Sequence, residues 1–214
     1  MSASLRSRMV ENGNGLNVHL LEAGYESANR PAVLLLHGFP ELGYSWRKVM
    51  PQLAAAGFYV IAPDQRGYGR TTGWDDDYDG DLGSFHLLNL VQDCLGLIAA
   101  LGVETLAGVV GHDFGSPVAA WCALLYPEIF RSVVLMSAPF AGPPSLPLPA
   151  AGSPMLDIAD ALAALHPARK HYQSYYCTRR ANGDMRDCSQ GIQAFLRAYY
   201  HYKSADWPAT NRLP

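Results

Sequence analysis

The chain has 214 residues, of which 49% are hydrophobic, a length that suits one sizeable core and does not require two independent domains. The net charge is −3, only 16% of the residues are charged, and no run is rich in Lys or Arg. Such a chain lacks the electrostatic footprint of a protein that binds nucleic acid or an acidic membrane. A small neutral molecule is therefore the predicted partner, with no nucleic acid and no membrane.

Targeting segments, disulfides and metal sites are also not indicated. Residues 1–10 carry arginines without a following apolar stretch of signal-peptide length, and no window approaches a membrane span. The acidic cluster in residues 75–81 does not match a calcium loop and predicts a solvated surface loop. The cysteines lack the spacing of a zinc site or a disulfide scaffold: Cys94, Cys122, Cys177 and Cys188. We expect a cytoplasmic protein with reduced thiols and neither metal nor cofactor.

The predicted elements begin with two antiparallel strands, residues 9–12 and 16–23, joined by the turn-forming sequence Gly13-Asn14-Gly15. Strands and helices then alternate, as in a doubly wound parallel sheet. The further predicted strands are residues 32–36, 58–62, 106–110 and 132–136, and the helices between them are residues 45–56, 82–101 and 118–125.

The character of the chain changes near residue 140. Residues 138–154 are rich in Pro, Gly and Ala, and residues 157–214 are aromatic with a helical pattern and no buried-strand pattern. We predict an incomplete α/β core over residues 1–140, followed over residues 141–214 by a proline-rich linker and a partial helical lid.

Three motifs follow three of the predicted parallel strands. They are His37-Gly38-Phe39-Pro40, Asp64-Gln65-Arg66-Gly67 and Gly111-His112-Asp113-Phe114-Gly115. Because ligands of such sheets bind at the carboxyl ends of the strands, we expect all three motifs to meet at one edge.

The third motif combines a strand, a tight turn flanked by glycines and a helix, which is the context of a nucleophile elbow. Its central residue is Asp113, where many hydrolases carry serine. A serine attacks acyl carbons, whereas an aspartate attacks an alkyl carbon and forms an alkyl ester on the enzyme. The alternative interpretation is that Asp113 only caps the following helix, a position that suits aspartate.

Together, the three motifs, with the second extended to Asp64-Gln65-Arg66-Gly67-Tyr68-Gly69, resemble those of the epoxide hydrolase branch of the α/β-hydrolases, in the same order and at comparable spacing. The segment Lys170-His171-Tyr172-Gln173 resembles the first lid motif of that family. The resemblance implies an α/β-hydrolase fold, a mostly parallel doubly wound sheet with an N-terminal antiparallel hairpin and a partial helical lid. It also implies a reaction, the opening of a small apolar epoxide through an aspartyl alkyl-enzyme ester to give a vicinal diol in the full-length form.

The resemblance also implies roles for individual residues. Asp113 would be the nucleophile, and the backbone N–H groups of Phe39 and Phe114 would form the oxyanion hole. Tyr172 would protonate the epoxide oxygen, although a lid tyrosine could equally serve only packing. The ring of Phe39 either lines the pocket or packs in the core.

Several neighbouring residues are assigned to the loops around the chemistry. His37 and His112 are predicted to hold their loops by hydrogen bonds, and Pro40 is predicted to fix its turn. Asp64 and Arg66 are predicted to organise the turn after their strand.

The largest departure from the family pattern lies after the nucleophile. In the family, an acid and a histidine base come from the last two strands, which follow the lid. Here no strand pattern follows residue 140. Some relatives instead carry the acid directly after the strand that corresponds to residues 132–136, but Ser137-Ala138-Pro139-Phe140 contains no acid. The later histidines lie in lid-like sequence and are not assigned as the base: His166, His171 and His201.

We therefore expect a chain that is truncated relative to the family, lacks the last two strands and is deficient in hydrolysis. Its exposed sheet edge would favour self-association.

Two other functions stay open. A haloalkane or haloacid dehalogenase uses the same aspartate, but the Phe114 side chain offers no donor to a halide. A non-catalytic ligand-binding homologue would keep the pocket and lack the triad. A serine esterase is excluded by Asp113.

Overall fold

The computed structural model describes residues 4–143 and 158–208, and these two stretches belong to two separate compact units. Most of the predicted proline-rich linker, residues 144–157, lies outside the described residues, as do residues 1–3 and 209–214.

The first unit is built on a six-stranded sheet with the order β1-β2-β4-β3-β5-β6. The strands are β1 (Arg6–Glu11), β2 (Asn17–Ala23), β3 (Ala32–Leu36), β4 (Tyr59–Pro63), β5 (Leu106–His112) and β6 (Val133–Met136). Neighbouring strands among β3 to β6 pair in parallel, whereas the β1–β2 and β2–β4 pairs are antiparallel. The predicted sheet, mostly parallel with an N-terminal antiparallel hairpin, is confirmed.

The hairpin turn depends on glycine, since Gly13 and Gly15 adopt φ angles of 74° and 90° that favour this residue. Strand β1 begins at Arg6, three residues earlier than predicted. The sequence pattern missed this start because Arg6 and Arg8 are polar. Both arginines pair with the buried carboxylate of Glu22 on β2.

Two predicted helices are interrupted. The first becomes a 3₁₀-helix (Gly43–Lys48) followed by α1 (Met50–Ala55), because Pro51 disfavours continuous α-helix through the residues before it. The second becomes a 3₁₀-helix (Leu82–Phe85) followed by α2 (Leu87–Ala100), with His86 in extended conformation between them. The last helix of the unit is α3 (Gly115–Leu125).

The core lies on both faces of the sheet, and β3 contributes to each face. Its five residues are all buried. Leu34 and Leu36 pack in the cluster that contains α2 and α3, whereas Val33 and Leu35 pack in the cluster that contains α1. This alternation explains the continuous apolar run, which is typical of a parallel strand covered on both faces.

The second unit contains four helices within residues 158–208: α4 (Ile158–Ala163), α5 (Tyr172–Tyr176), α6 (Ala181–Arg186) and α7 (Ile192–Tyr202). No strand follows Met136 in the part of the chain that the structure describes. Within residues 4–143 and 158–208, no helix is both long and apolar enough to cross a membrane.

Candidate active site

Asp113 occupies the sharp turn between β5 and α3. Its φ angle is 50°, a left-handed conformation that is uncommon for residues other than glycine. Its N–H donates to the carbonyl oxygen of Met136 at 3.0 Å, and its carbonyl oxygen accepts from the N–H of Ser116 at 3.0 Å. These bonds hold the backbone in a conformation that costs free energy, as occurs at functional turns.

The two glycines of the motif are needed because the backbone segments approach closely. A Cβ added to Gly111 would overlap the carbonyl oxygen of Gly115, and one added to Gly115 would overlap the carbonyl oxygen of Leu36. The spacing of the glycines around Asp113 is therefore a packing requirement of the elbow, set by contact between β5, α3 and the end of β3.

The side chain of Asp113 faces the loop that follows β3. Its Oδ1 accepts a hydrogen bond from the backbone N–H of Phe39 at 3.0 Å. The N-cap position of α3 belongs to Phe114, so Asp113 lies one residue before the cap of that helix. The Phe39–Pro40 peptide bond in this loop is cis.

His37 joins the loops that follow β3 and β4. It is fully buried, and its Nδ1 lies 2.9 Å from the carbonyl oxygen of Gly38. Its Nε2 accepts from the N–H of Gln65 at 3.0 Å, so the proton lies on Nδ1. Burial lowers the pKa of His37, outweighing the carbonyl contact and nearby carboxylates that would raise it. A neutral imidazole with a hydrogen bond at each ring nitrogen holds the two loops together.

Asp64 organises the turn after β4. Its Oδ1 accepts from the N–H of Gly43 at 2.9 Å, and its Oδ2 accepts from the N–H of Arg70 at 3.1 Å. His19 Nδ1 lies 2.8 Å from the same Oδ2. Arg66, two residues further along, donates from Nε to Asp93 at 2.8 Å. Neither Asp64 nor Arg66 is directed at Asp113 in this network.

His112 is paired with a residue that the sequence did not single out. Its Nδ1 lies 3.0 Å from Oε2 of Glu41, and both side chains are partly exposed. Glu41 follows Pro40 directly, and this position next to the first motif is the feature of the sequence that could have indicated its role. The pair links the loop after β3 to the residue that precedes Asp113.

An aromatic groove opens beside the elbow. Its lining residues are Phe39, Arg66, Gly67, Tyr68, Trp74, Phe85, Leu90 and Phe114, and its volume is about 410 Å³. Burial raises the pKa of the Tyr68 phenol, and the charge of Asp113 raises it further, so the ring lies within electrostatic reach of the carboxylate. The sequence places Tyr68 in the second motif without a role, and sequence reasoning missed Trp74 and Phe85, because nothing in their spacing shows that the three residues converge.

Tyr172 lies in the second unit, at the first residue of α5. Its ring packs against His171 at 4.7 Å and Tyr176 at 5.9 Å between centroids, and Lys203 Nζ lies 4.8 Å from its centroid. Burial raises the pKa of Tyr176 to about 12, and Tyr199 contributes to the shift. Tyr172 therefore belongs to an aromatic cluster of the second unit, whereas the other predicted site residues lie in the first.

The later histidines also belong to the second unit. The ring of His201 packs against Trp207 at 5.4 Å, His171 stacks on Tyr172, and His166 precedes a cis Pro167. Within residues 4–143 and 158–208, no group of three or more His, Cys, Asp or Glu side chains could hold a metal ion.

The chain belongs to the α/β-hydrolase fold family, whose model matches residues 31–184. Within that family it is epoxide hydrolase-like, since its similar proteins include several epoxide hydrolases. Epoxide hydrolase B of Mycobacterium tuberculosis is 37% identical over 190 residues, which are 87% of this chain and 51% of that protein. Epoxide hydrolase 3 of Siraitia grosvenorii is 40% identical over 129 residues, 60% of this chain and 38% of that protein.

Solved structures give the same assignment. The structure of potato (Solanum tuberosum) epoxide hydrolase I is 32% identical, with a TM-score of 0.71 over 93% of this chain and 57% of that one. Epoxide hydrolase A from Mycobacterium thermoresistibile is 39% identical, with a TM-score of 0.56 over 64% of this chain and 40% of that one. The chain thus spans about half the length of epoxide hydrolase B, 51%.

Proposed function

We propose that Asp113 opens an epoxide by nucleophilic attack and forms an alkyl ester. One observation carries the proposal: the N–H of Phe39 donates to Oδ1 of an aspartate at φ 50° on the elbow. This bond fixes the carboxylate and leaves Oδ2 as the attacking oxygen. The similarity to epoxide hydrolases supports the choice of an epoxide as the substrate.

The proposed first step is a displacement at an oxirane carbon. Oδ2 of Asp113 forms a bond to that carbon, the carbon–oxygen bond of the oxirane breaks, and the electron pair moves to the oxirane oxygen. Tyr172 donates its phenolic proton to this oxygen, a role that requires the second unit to act as the lid. The product is an ester of Asp113 with a hydroxyl group on the neighbouring carbon.

The proposed second step is hydrolysis of that ester in a form of the protein that carries a histidine base and an orienting acid. Water attacks the ester carbonyl carbon, and the N–H groups of Phe39 and Phe114 stabilise the charge that develops on its oxygen. The bond between the Asp113 carbonyl carbon and the alkoxy oxygen then breaks, the base gives that oxygen the proton it took from water, and a vicinal diol leaves. Because the described histidines after Asp113 lie in the helical unit and none follows a strand, we propose that the 214-residue polypeptide stops at the ester.

The test is intact-mass spectrometry after incubation of the 214-residue chain with styrene oxide. We expect one added epoxide mass that persists for hours, and no adduct in Asp113→Asn. Asp76→Asn, in the exposed acidic loop, is the matched control and should form the adduct like the wild type. Catalytic formation of diol over many turnovers would contradict the proposed block at the ester.

Two further measurements separate the other functions. Release of halide from a haloalkane, without reaction with styrene oxide, would assign the aspartate to a dehalogenase. Protection of the fold by a ligand without any adduct at Asp113 would indicate a non-catalytic binding protein.

We also propose that the chain self-associates through β6. All four residues of this edge strand are exposed, with fractions between 37% and 52%: Val133, Val134, Leu135 and Met136. Among the strands of residues 4–143 and 158–208, β6 pairs with β5 alone. An apolar edge strand of this kind is a template for pairing with a second copy. Sedimentation velocity should show dimers that a Leu135→Lys substitution weakens.

A further inference from the structure

We infer that the aromatic groove beside Asp113 binds the aryl group of an epoxide, and that Trp74 and Phe85 determine this preference. The inference rests on the proposed function, because it names the substrate class that the same nucleophile would open.

Five aromatic residues line the groove: Phe39, Tyr68, Trp74, Phe85 and Phe114. Its volume of about 410 Å³ falls within the range of sites that bind small molecules. Phe114 follows Asp113 in the chain, and the N–H of Phe39 binds the Asp113 carboxylate. A ligand that fills the groove therefore lies beside the nucleophile.

The rings of Trp74 and Phe85, which lie outside the three motifs, are held in place before any ligand binds. Trp74 donates from its indole N–H to the carbonyl oxygen of Thr71 at 2.8 Å. The Trp74 and Phe85 rings meet edge to face, with centroids 6.1 Å apart and planes at 77°. A Cβ added to Gly67 would lie 3.1 Å from the Phe85 ring, so the glycine leaves room for that ring. Fixed rings bind a ligand with little loss of side-chain entropy.

Among the residues that line the groove, Arg66 alone carries a formal charge, and Asp93 neutralises it. The guanidinium of Arg66 donates to Asp93 at 2.8 Å from Nε and at 2.6 Å from its terminal nitrogen. A phenol is protonated at neutral pH, and burial and the charge of Asp113 raise the pKa of Tyr68 further. The groove therefore favours an apolar ligand. Edge-to-face and stacked contacts favour an aryl ring over a saturated ring of the same size.

A competition between two matched epoxides tests the inference. Benzyloxirane and (cyclohexylmethyl)oxirane, both in excess, give Asp113 adducts that differ in mass. The methylene group between ring and oxirane removes benzylic activation, so the ratio of adducts reports recognition of the ring. We expect roughly fivefold more aryl adduct from the wild type, and a ratio near one from Trp74→Leu and Phe85→Leu.

Trp121→Leu is the matched control. Trp121 is also half-buried and also meets a phenylalanine edge to face, since its ring lies 5.6 Å from Phe140 at 79°. It does not line the groove. This variant should keep the wild-type ratio, because the ratio does not depend on how much protein is folded.

Each failure has its own signature. Adducts at a ratio near one in the wild type, or a ratio that neither groove variant changes, would overturn the aryl site and leave the nucleophile standing. Absence of both adducts would overturn the proposed function. In that case, tryptophan fluorescence titration with 3-phenylpropane-1,2-diol and its cyclohexyl analogue decides the inference. Tighter aryl binding that Phe85→Leu abolishes supports the aryl site, because this variant keeps all four tryptophans, and equal affinities overturn it.

Discussion

The two units contain the same kind of polar cluster in opposite environments. In each, a carboxylate accepts hydrogen bonds from an arginine Nε and from a tyrosine hydroxyl. The first cluster consists of Glu22, Arg6, Arg8 and Tyr59, and the second of Asp184, Arg180 and Tyr175. The Glu22 side chain is fully buried, whereas 36% of the Asp184 side chain is exposed.

The comparison shows that a list of contacts is not a measure of stability. Burial alone would raise the pKa of Glu22, but hydrogen bonds from Arg8 and Tyr59 outweigh it and lower the pKa. The pKa of Asp184 is also lowered, by the hydrogen bond from Arg180 and then by that from Tyr175. If its partners are lost, Asp184 can bind water instead, whereas Glu22 cannot. The same bonds are therefore required in one unit and dispensable in the other.

Replacing the two carboxylates by amides gives the largest expected contrast. Glu22→Gln should lower the free energy of unfolding by about 2–3 kcal/mol, below the usual cost of breaking a buried ion pair. The cost is reduced because Arg6 and Arg8 are 42% and 40% exposed and can be hydrated. Asp184→Asn should leave the midpoint of urea denaturation unchanged. Equal shifts in the two variants would contradict the assigned role of burial.

Two serines extend the comparison to neutral groups. Ser116 is fully buried; its hydroxyl oxygen lies 2.8 Å from the carbonyl oxygens of Gly111 and Met136, which share its single proton, and accepts from the N–H of Met136 at 3.1 Å. Ser204 donates to the carbonyl oxygen of His201 at 2.8 Å, on the surface of the second unit. Ser116→Ala should cost about 1–2 kcal/mol in urea denaturation, because buried backbone groups lose their partner. Ser204→Ala should cost nothing measurable, and a similar loss in both would count against this account.

The parts of the fold that the sequence predicted are those where a local pattern decides the structure. Strand β3 is a continuous apolar run that is buried on both faces, so its five residues were sufficient. The early start of β1 could not be predicted, because it depends on Arg6 and Arg8 finding Glu22 on another strand. The break at His86, where the backbone is extended, is likewise not visible in the helical periodicity of the sequence.

The residues of the candidate site also fall into those that the sequence predicted and those that it did not. Asp113 and Phe39 stand in motifs that directly follow strands, so a rule about strand ends placed them at one edge, and their hydrogen bond is consistent with it. Trp74 and Phe85 lie in segments without a recognisable motif. Phe85 reaches the groove beside Gly67, and Trp74 meets the Phe85 ring there, contacts that no spacing in the sequence encodes.

The pH dependence of stability is a smaller effect that also tests the comparison of Glu22 with Asp184. The pKa of Glu22 in the folded state is lowered below its ordinary value of 4.5. A group of this kind contributes stability that is fully present above pH 4.5 and is lost as the pH falls through the folded-state pKa. The stability difference between the wild type and Glu22→Gln should therefore be constant from pH 7 to about 5.5 and shrink below pH 4.5. Urea denaturation across this range, repeated in about 0.5 M NaCl to screen exposed pairs such as Arg180 and Asp184, measures it. A difference that grows on acidification would mean that burial, rather than its arginine and tyrosine partners, controls the ionisation of Glu22.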